Sequence, residues 1–309
     1  MIVGVSPATR RALALAERYA RTRLPILLVG ATGTGKELFA EHIHQLSGRC
    51  GKLVDINCGA LPRDMTESLL FGHRRGAFTG AFESTVGHVA QADGGTLFLD
   101  ELQSLVPDAQ VKLLRVLETG EIQPLGTGAK HTTDLRVVAA VQEDIRADLE
   151  AGRFRRDLYQ RVAGVVIGLP TLAARLEDVV PLAEYFAGLQ AQRLERGAEG
   201  VLLAYPWPGN VRELRQVVER AGRLVANGTL SPAALAEAID LGAPETFPEN
   251  QEAAALRSVA AERARLLSAC EAHGWNANRV AHDLGVHRAT LFRRLKRAGI
   301  SLRGVRESQ

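Results

Sequence analysis

The segment Pro25-Ile-Leu-Leu-Val29 runs straight into Gly30-Ala-Thr-Gly-Thr-Gly35-Lys36, and Glu37 to Gln45 then carries apolar residues at helical spacing. A short apolar run of buried-strand type, a glycine-rich turn and a helix in immediate succession leave few folds open. Glycines let backbone N–H groups close around anionic oxygens, and the helix N-terminus adds partial positive charge. The expected ligand is a nucleotide polyphosphate, cradled by Gly30, Ala31, Thr32, Gly33, Thr34, Gly35 and Lys36, with the Lys36 ammonium on the β- and γ-phosphates. Glu37 stands where generic loops of this kind have a Ser or Thr magnesium ligand. Its carboxylate can still hold magnesium through water.

Gly94-Gly-Thr-Leu-Phe-Leu-Asp100-Glu101 supplies a second half. An apolar strand ending in two carboxylates puts them at the carboxyl edge of a sheet, beside the phosphate loop. Asp100 is the candidate Mg²⁺ ligand, and Glu101 the residue that orients and deprotonates an attacking water. Two solvated acids after a buried strand would look similar, but the glycine-rich loop upstream makes that reading the weaker one. Phosphoryl transfer to water also needs positive charge, and Arg153-Phe-Arg155-Arg156-Asp-Leu-Tyr-Gln-Arg161 offers a cluster of it. Arginines on a solvated helix would give the same pattern.

Strand-like runs at Leu53–Asn57, Thr96–Asp100 and Leu135–Val141 alternate with helical patterns at Pro7–Ala20 and Ala109–Leu117, which predicts a mostly parallel α/β sheet. After Pro170 the pattern turns helical, over Glu177–Leu194, Val211–Ala226 and Pro232–Ala238, with no convincing strand. Gly242 to Glu252 is proline-containing and acidic, and reads as a linker. The divisions expected are an α/β ATPase part over 1–170, a small helical subdomain over 171–241, a linker over 242–254 and a last helical unit over 255–309.

Hydrophobic residues make up 46% of the 309 and charged residues 24%, enough for a sizeable core. No apolar run reaches membrane-spanning length, so a cytoplasmic protein is expected. Cys50, Cys58 and Cys270 have neither disulfide nor zinc spacing. The net charge of +3 is unevenly placed: 256–309 holds eleven Arg and Lys against four acids, and Gly285–Arg306 has seven basic residues and no acid. Such a tail suits nucleic acid.

Phe71-Gly-His-Arg-Arg-Gly76-Ala-Phe-Thr-Gly-Ala81-Phe82 contains the hexapeptide Gly-Ala-Phe-Thr-Gly-Ala. Together with Gly33–Glu37, Asn57-Cys58, Gly94–Glu101, Phe154-Arg155 to Arg161 and Trp207-Pro-Gly-Asn-Val-Arg-Glu-Leu214, it makes the chain resemble the sigma-54-dependent transcriptional activators. The resemblance runs from Gly4 to about Leu241. It implies an AAA+ fold: a P-loop parallel sheet with a helical lid, followed by a small all-α helix-turn-helix domain. It further implies ATP with Mg²⁺, a ring assembled from copies of the chain (usually six), and hydrolysis that remodels sigma-54 RNA polymerase on a promoter. Arg155 and Arg161 resemble arginines that act on a neighbouring subunit's nucleotide. Arg212 resembles an arginine that reaches the nucleotide from the lid. Asn57 resembles the residue that switches Glu101 between idle and active positions. Gly76, Ala77, Phe78, Thr79, Gly80 and Ala81 correspond to the surface loop that grips sigma-54.

The tail resembles the family's Fis-type helix-turn-helix. Asn278–Leu284, the turn Gly285-Val286, and His287–Ala298 form the motif, with a core of Val280, Ala281, Leu284, Leu291 and Leu295. His287, Arg288, Thr290, Arg293 and Arg294 lie on or near the helix that would enter the major groove of double-stranded DNA.

Four positions depart from the family: Ala31 for Glu, Val141-Gln142 for Thr-Asn, Ala90 for Glu and Pro124 for Arg. They bear on rate and coupling, not on the class of reaction. The alternative they keep open is a DNA-binding regulator with a weak or non-productive AAA+ domain. An AAA+ motor of another class fits less well, because of the hexapeptide and the Fis-like tail. No receiver or sensing domain precedes the loop-bearing part, so control is expected to come from another protein acting in trans, from expression level or from nothing.

Overall fold

The computed structural model describes residues 2–142, 145–226, 228–242, 273 and 275–283. The chain divides into two units, 1–242 and 243–309. In the first, five strands form one parallel sheet: β1 (Ile26–Val29), β2 (Leu53–Asn57), β3 (Thr96–Asp100), β4 (Arg136–Val141) and β5 (Val165–Gly168), in spatial order β2-β3-β4-β1-β5. Around it lie α1 (Pro7–Ala20), α2 (Lys36–Leu46), α3 (Thr66–Phe71), α4 (His88–Gln91), α5 (Pro107–Thr119), α6 (Ile145–Glu150) and α7 (Arg156–Val162).

A parallel sheet covered on both faces needs strands that are apolar on both faces. Alternation divides these strands cleanly. Leu27, Leu97, Leu99, Val137, Ala139 and Val141 enter a core shared with α3, α5 and α7. Ile26, Leu28, Phe98, Val138, Ala140 and Ile167 face α1 and α2. At the end of α1, Arg136 of β4 is buried and donates to the carbonyls of Tyr19 (2.9 Å) and Thr22, tying the helix end to the sheet.

Beyond the sheet lie α8 (Val179–Gly188), α9 (Ala198–Ala204), α10 (Asn210–Leu224) and α11 (Pro232–Asp240). On α10, Leu214, Val217, Val218 and Ala221 form a buried stripe against Leu182, Trp207 and Leu235. The expected helix over 177–194 is shorter: it stops at Gly188, and Ala191 is left-handed at φ +55°. Gln192 then donates to Gly222 O of α10 (2.8 Å), and Arg193-Leu194 pairs in parallel with Thr229-Leu230. Anchoring this segment to α10 redirects the chain, so a two-stranded pair stands where only helix was expected. Strand β5 was also not expected; four residues with a single buried side chain carry too short a pattern.

In the second unit, α12 spans Ala277–Asp283, with Ala277, Val280 and Ala281 buried and Asn276 Oδ1 accepting from the Arg279 amide at 3.3 Å. Leu284, Leu291, Leu295 and the candidate DNA-binding residues His287, Arg288, Thr290, Arg293 and Arg294 lie outside the described residues. Among the described residues, no helix is long and apolar enough to cross a membrane.

Candidate functional site

The glycine-rich loop joins β1 to α2 at the carboxyl ends of the strands. Gly33 (φ +78°) and Gly35 (φ +103°) sit in the left-handed region that the turn requires. Lys36 is buried and folds back, its Nζ donating to Gly30 O (2.8 Å) and Ala31 O (3.1 Å), while Thr34 Oγ1 donates to Ala31 O at 2.8 Å. Ala31 and Gly33 are half-buried, and Thr32 and Glu37 are exposed.

Strand register brings the acids alongside. Asn57 of β2 is the partner of Asp100 of β3. Asp100 is half-buried and its Oδ1 accepts from the Glu101 amide at 2.9 Å. Glu101 is left-handed at φ +51°, a strained conformation for a residue with a side chain. Asn57 Oδ1 accepts from the Gly59 (2.9 Å) and Ala60 (3.1 Å) amides, and the Glu101 carboxylate lies over Gly59. Asp55, two residues before Asn57, has its pKa pushed up to about 6 by burial and by the charges of Glu37, Asp100 and Glu41. Burial, with Asp100, Glu101 and Asp55 near by, likewise pushes the Cys58 thiol up and keeps it protonated.

Among the described residues no three His, Cys, Asp or Glu side chains converge as a metal cage. This donor set fits Mg²⁺, which keeps waters and takes one or two carboxylates besides phosphate oxygens, and does not fit a cation that needs an all-protein cage.

The helical part touches the loop directly. The Val211 and Arg212 amides at the start of α10 donate to Gly33 O at 2.9 and 3.3 Å. Arg212 itself is exposed, with its Cβ beside Gly33. An apolar cavity adjoins the loop, lined by Val3, Leu38, Phe39, Leu182, Tyr185 and Phe186, with Thr34 and Arg175 as polar members. The sequence offered no signal for it, because its walls come from the first residues, α2 and α8.

Arg155 and Arg161 are not part of this cluster. Arg155 is exposed and makes a two-pronged ion pair with Asp157 (3.0 and 2.6 Å), which raises its pKa further. Arg161 is exposed and donates to Leu117 O (3.0 and 2.6 Å). It lines a cleft with Arg23, Leu24 and Pro25, at the amino end of β1. The phosphate loop is at the other end of that strand, roughly 13 Å away for four extended residues.

The hexapeptide lies on a hairpin whose base pairs Gly72-His73 with Thr85-Val86. Gly76 (φ +80°) and Gly80 (φ +100°) bracket it, the Gly76 amide donates to Ala81 O (2.8 Å), and Ala81 is buried. Thr79 is fully on the surface side, while Ala77 packs on Gly126. Phe78 is 43% exposed with its ring tilted against His73 (centroids 5.0 Å apart), and Phe82 is 81% exposed. Phe82 is the more prominent aromatic, and sequence reasoning did not single it out. Ala90 is half-buried, and Pro124 lies on the segment whose Leu125 bonds to Gly72 and Arg74 at the hairpin base.

Comparison with known proteins places the chain in a family. The family described as "Sigma-54 interaction domain" matches residues 2–168, "AAA+ ATPase lid domain" matches 173–252, and "Bacterial regulatory protein, Fis family" matches 259–297. The chain is 41% identical over 306 residues to the hydrogenase transcriptional regulatory protein HoxA of Cupriavidus necator, covering 93% of this chain and 63% of that protein. It is 40% identical over 304 residues to the transcriptional regulatory protein ZraR of Escherichia coli K12, covering 96% and 68%. The chain thus spans under two thirds of the first of these relatives and about two thirds of the second. Among solved structures, NtrX from Brucella abortus in complex with ATP superimposes with TM-score 0.68 at 31% identity, covering 97% of this chain and 69% of that one. RuvB of Thermotoga maritima, at 18% identity and TM-score 0.54, shares the fold. With its AAA+ sheet, its lid and its Fis-type segment, the chain belongs to the sigma-54-dependent transcriptional activators.

Proposed function

We propose that the chain hydrolyses ATP in a ring of its own copies, usually six in this family, and uses the cycle to remodel sigma-54 RNA polymerase on promoter DNA. The observation that carries this reading is the meeting of the phosphate loop, Asp100, Glu101 and the start of α10 at one end of the sheet. The apolar cavity beside Thr34 takes the base, and the loop amides take the phosphates. Asp100, with Glu37 near by, would hold Mg²⁺, which offsets phosphate charge when bound. Glu101 orients the water and takes its proton. Arg212 approaches from the lid. Arg155 and Arg161 face outward, where a neighbouring subunit's nucleotide can meet them; such arginines contribute about 10³ to 10⁵ in rate.

The hairpin at 72–86 is the output element, presenting Phe78, Thr79 and Phe82 to sigma-54. The Fis-type segment binds double-stranded DNA upstream, in the cytoplasm. The test is Thr79→Ala, assayed for ATPase and for open promoter complexes on one preparation. ATPase within about threefold of wild type with open complexes lost is the expected result. Full promoter opening by Thr79→Ala would refute the loop's role.

A further inference from the structure

Five consecutive carbonyls of the phosphate loop accept hydrogen bonds from the protein. Those of Gly30 and Ala31 are served from within, by Lys36 and Thr34. The next three are served from beyond the sheet. Asn210 Nδ2 donates to Thr32 O at 3.0 Å, the Val211 amide to Gly33 O at 2.9 Å, and the Arg175 guanidinium to Thr34 O at 2.9 Å.

Both side chains are built for this task. Asn210 is 2% exposed and left-handed at φ +54°. Its carboxamide oxygen accepts from the Leu172 amide at 2.7 Å, which fixes the nitrogen toward Thr32. Arg175 is 3% exposed and also donates to Thr9 Oγ1 at 3.0 Å. Beside it, Asp178 accepts from the Val5 and Ser6 amides and from the Ser6 and Thr9 hydroxyls, at 2.6 to 2.8 Å. Burial pushes the Asp178 carboxyl up, but the bonds from Thr9, Ser6 and Val5 outweigh it and hold the pKa below its ordinary value. Arg175 is thus locked on one side by a carboxylate and on the other by the loop.

Peptide planarity gives these bonds a consequence. Fixing the C=O of one residue fixes the direction of the next residue's N–H. Holding the carbonyls of Thr32, Gly33 and Thr34 therefore aims the amides of Gly33, Thr34 and Gly35, in a stretch where glycine would otherwise permit many directions. We infer that Asn210 and Arg175 are positioning residues that key the lid to the loop backbone, so that lid orientation sets the phosphate-binding amides. This rests on the nucleotide-site reading above. Coupling of this kind is reciprocal: bound nucleotide must stiffen the contact by the same factor by which the contact strengthens binding.

The experiment uses the full-length chain with fluorescent ADP as probe. Asn210→Asp retains an oxygen for the Leu172 amide and tolerance of the left-handed backbone, but opposes Thr32 O with another oxygen. Arg175→Lys retains the charge facing Asp178 but loses the fork that reaches Thr9 and Thr34 together. The expected result is an ADP Kd at least tenfold weaker in both. A residue that merely packs the lid would lower the Tm and leave the Kd of Asn210→Asp within twofold of wild type, which overturns the inference. A measurement without mutation runs beside it: exchange of the Val211 amide hydrogen should slow at least tenfold when ADP binds, and unchanged exchange overturns the inference too. Wild-type protein that fails to bind ADP at all would instead remove the nucleotide-site reading.

Discussion

Asn57 and Asp100 are register partners at the carboxyl ends of adjacent parallel strands, and the next residue, Glu101, turns left-handed to lay its carboxylate beside Gly59, whose amide Asn57 holds. Asn57 and Glu101 therefore share one small turn, Cys58–Ala60. A left-handed non-glycine residue costs about 1 to 3 kcal/mol and persists only where its surroundings enforce it.

Replacing Glu101 by Gln keeps the shape and removes the proton acceptor. ATP binding should stay within a few-fold of wild type, while kcat falls by about 10² to 10⁴. Single-turnover hydrolysis on purified protein measures this, and near-normal turnover would remove Glu101 from the role of base.

Arg155→Ala and Arg161→Ala should each abolish hydrolysis and spare nucleotide binding. The two-pronged pair with Asp157 is solvent-exposed and contributes little to stability, so folding should survive. The trans geometry is tested by mixing. Glu101→Gln and Arg155→Ala are each inactive alone, but a random mixture places Glu101 of one subunit against Arg155 of another at about a quarter of head-to-tail interfaces. Recovered ATPase is the expected result, and a mixture as inactive as its components would sink the idea.

The Asp55 carboxyl, raised from 3.8 to about 6, binds its proton more tightly in the folded chain than in the unfolded one. Stability of the nucleotide-free protein should therefore fall as pH rises from about 4 to 6, and the penalty persists above that. Asp55→Asn removes it. Because Asp55 keeps one side open to water, which screens the charges of Glu37, Asp100 and Glu41, the gain is discounted to about 1 kcal/mol, or a few degrees in Tm at pH 7. At pH 4 the two proteins should melt together. A larger gain at pH 4 than at pH 7 would contradict the assignment.

The seven basic residues between Gly285 and Arg306 predict DNA binding dominated by phosphate contacts. Four such contacts would lower affinity about a hundredfold between 50 and 200 mM salt. Arg293→Ala with Arg294→Ala should reduce that slope. Titration of the full chain on duplex DNA decides, and salt-insensitive binding would count against the helix-turn-helix.

The sequence alone determined the phosphate loop, the Asp100–Glu101 strand, the hexapeptide and the Fis-type tail. Each is carried by a continuous stretch whose own chemistry is diagnostic: glycines before a helix, acids after an apolar run, or a phenylalanine between glycines. It also determined the sheet strands β2 and β3 and helix α1 to the residue. Tertiary structure alone decided that Asn57 faces Asp100, because register depends on how two strands some forty residues apart slide together. It decided that Arg161 lies at the opposite end of β1 from the phosphate loop, since a helix's sequence does not say which end of the sheet it runs toward. It assembled the apolar cavity from the first residues, α2 and α8, and brought Asn210 and Arg175 onto the carbonyls of residues 32–34. These contacts join residues more than a hundred positions apart by one hydrogen bond each, and such bonds leave no periodicity in the chain to read. Only the packing of the folded helices on the sheet puts donor and acceptor within reach.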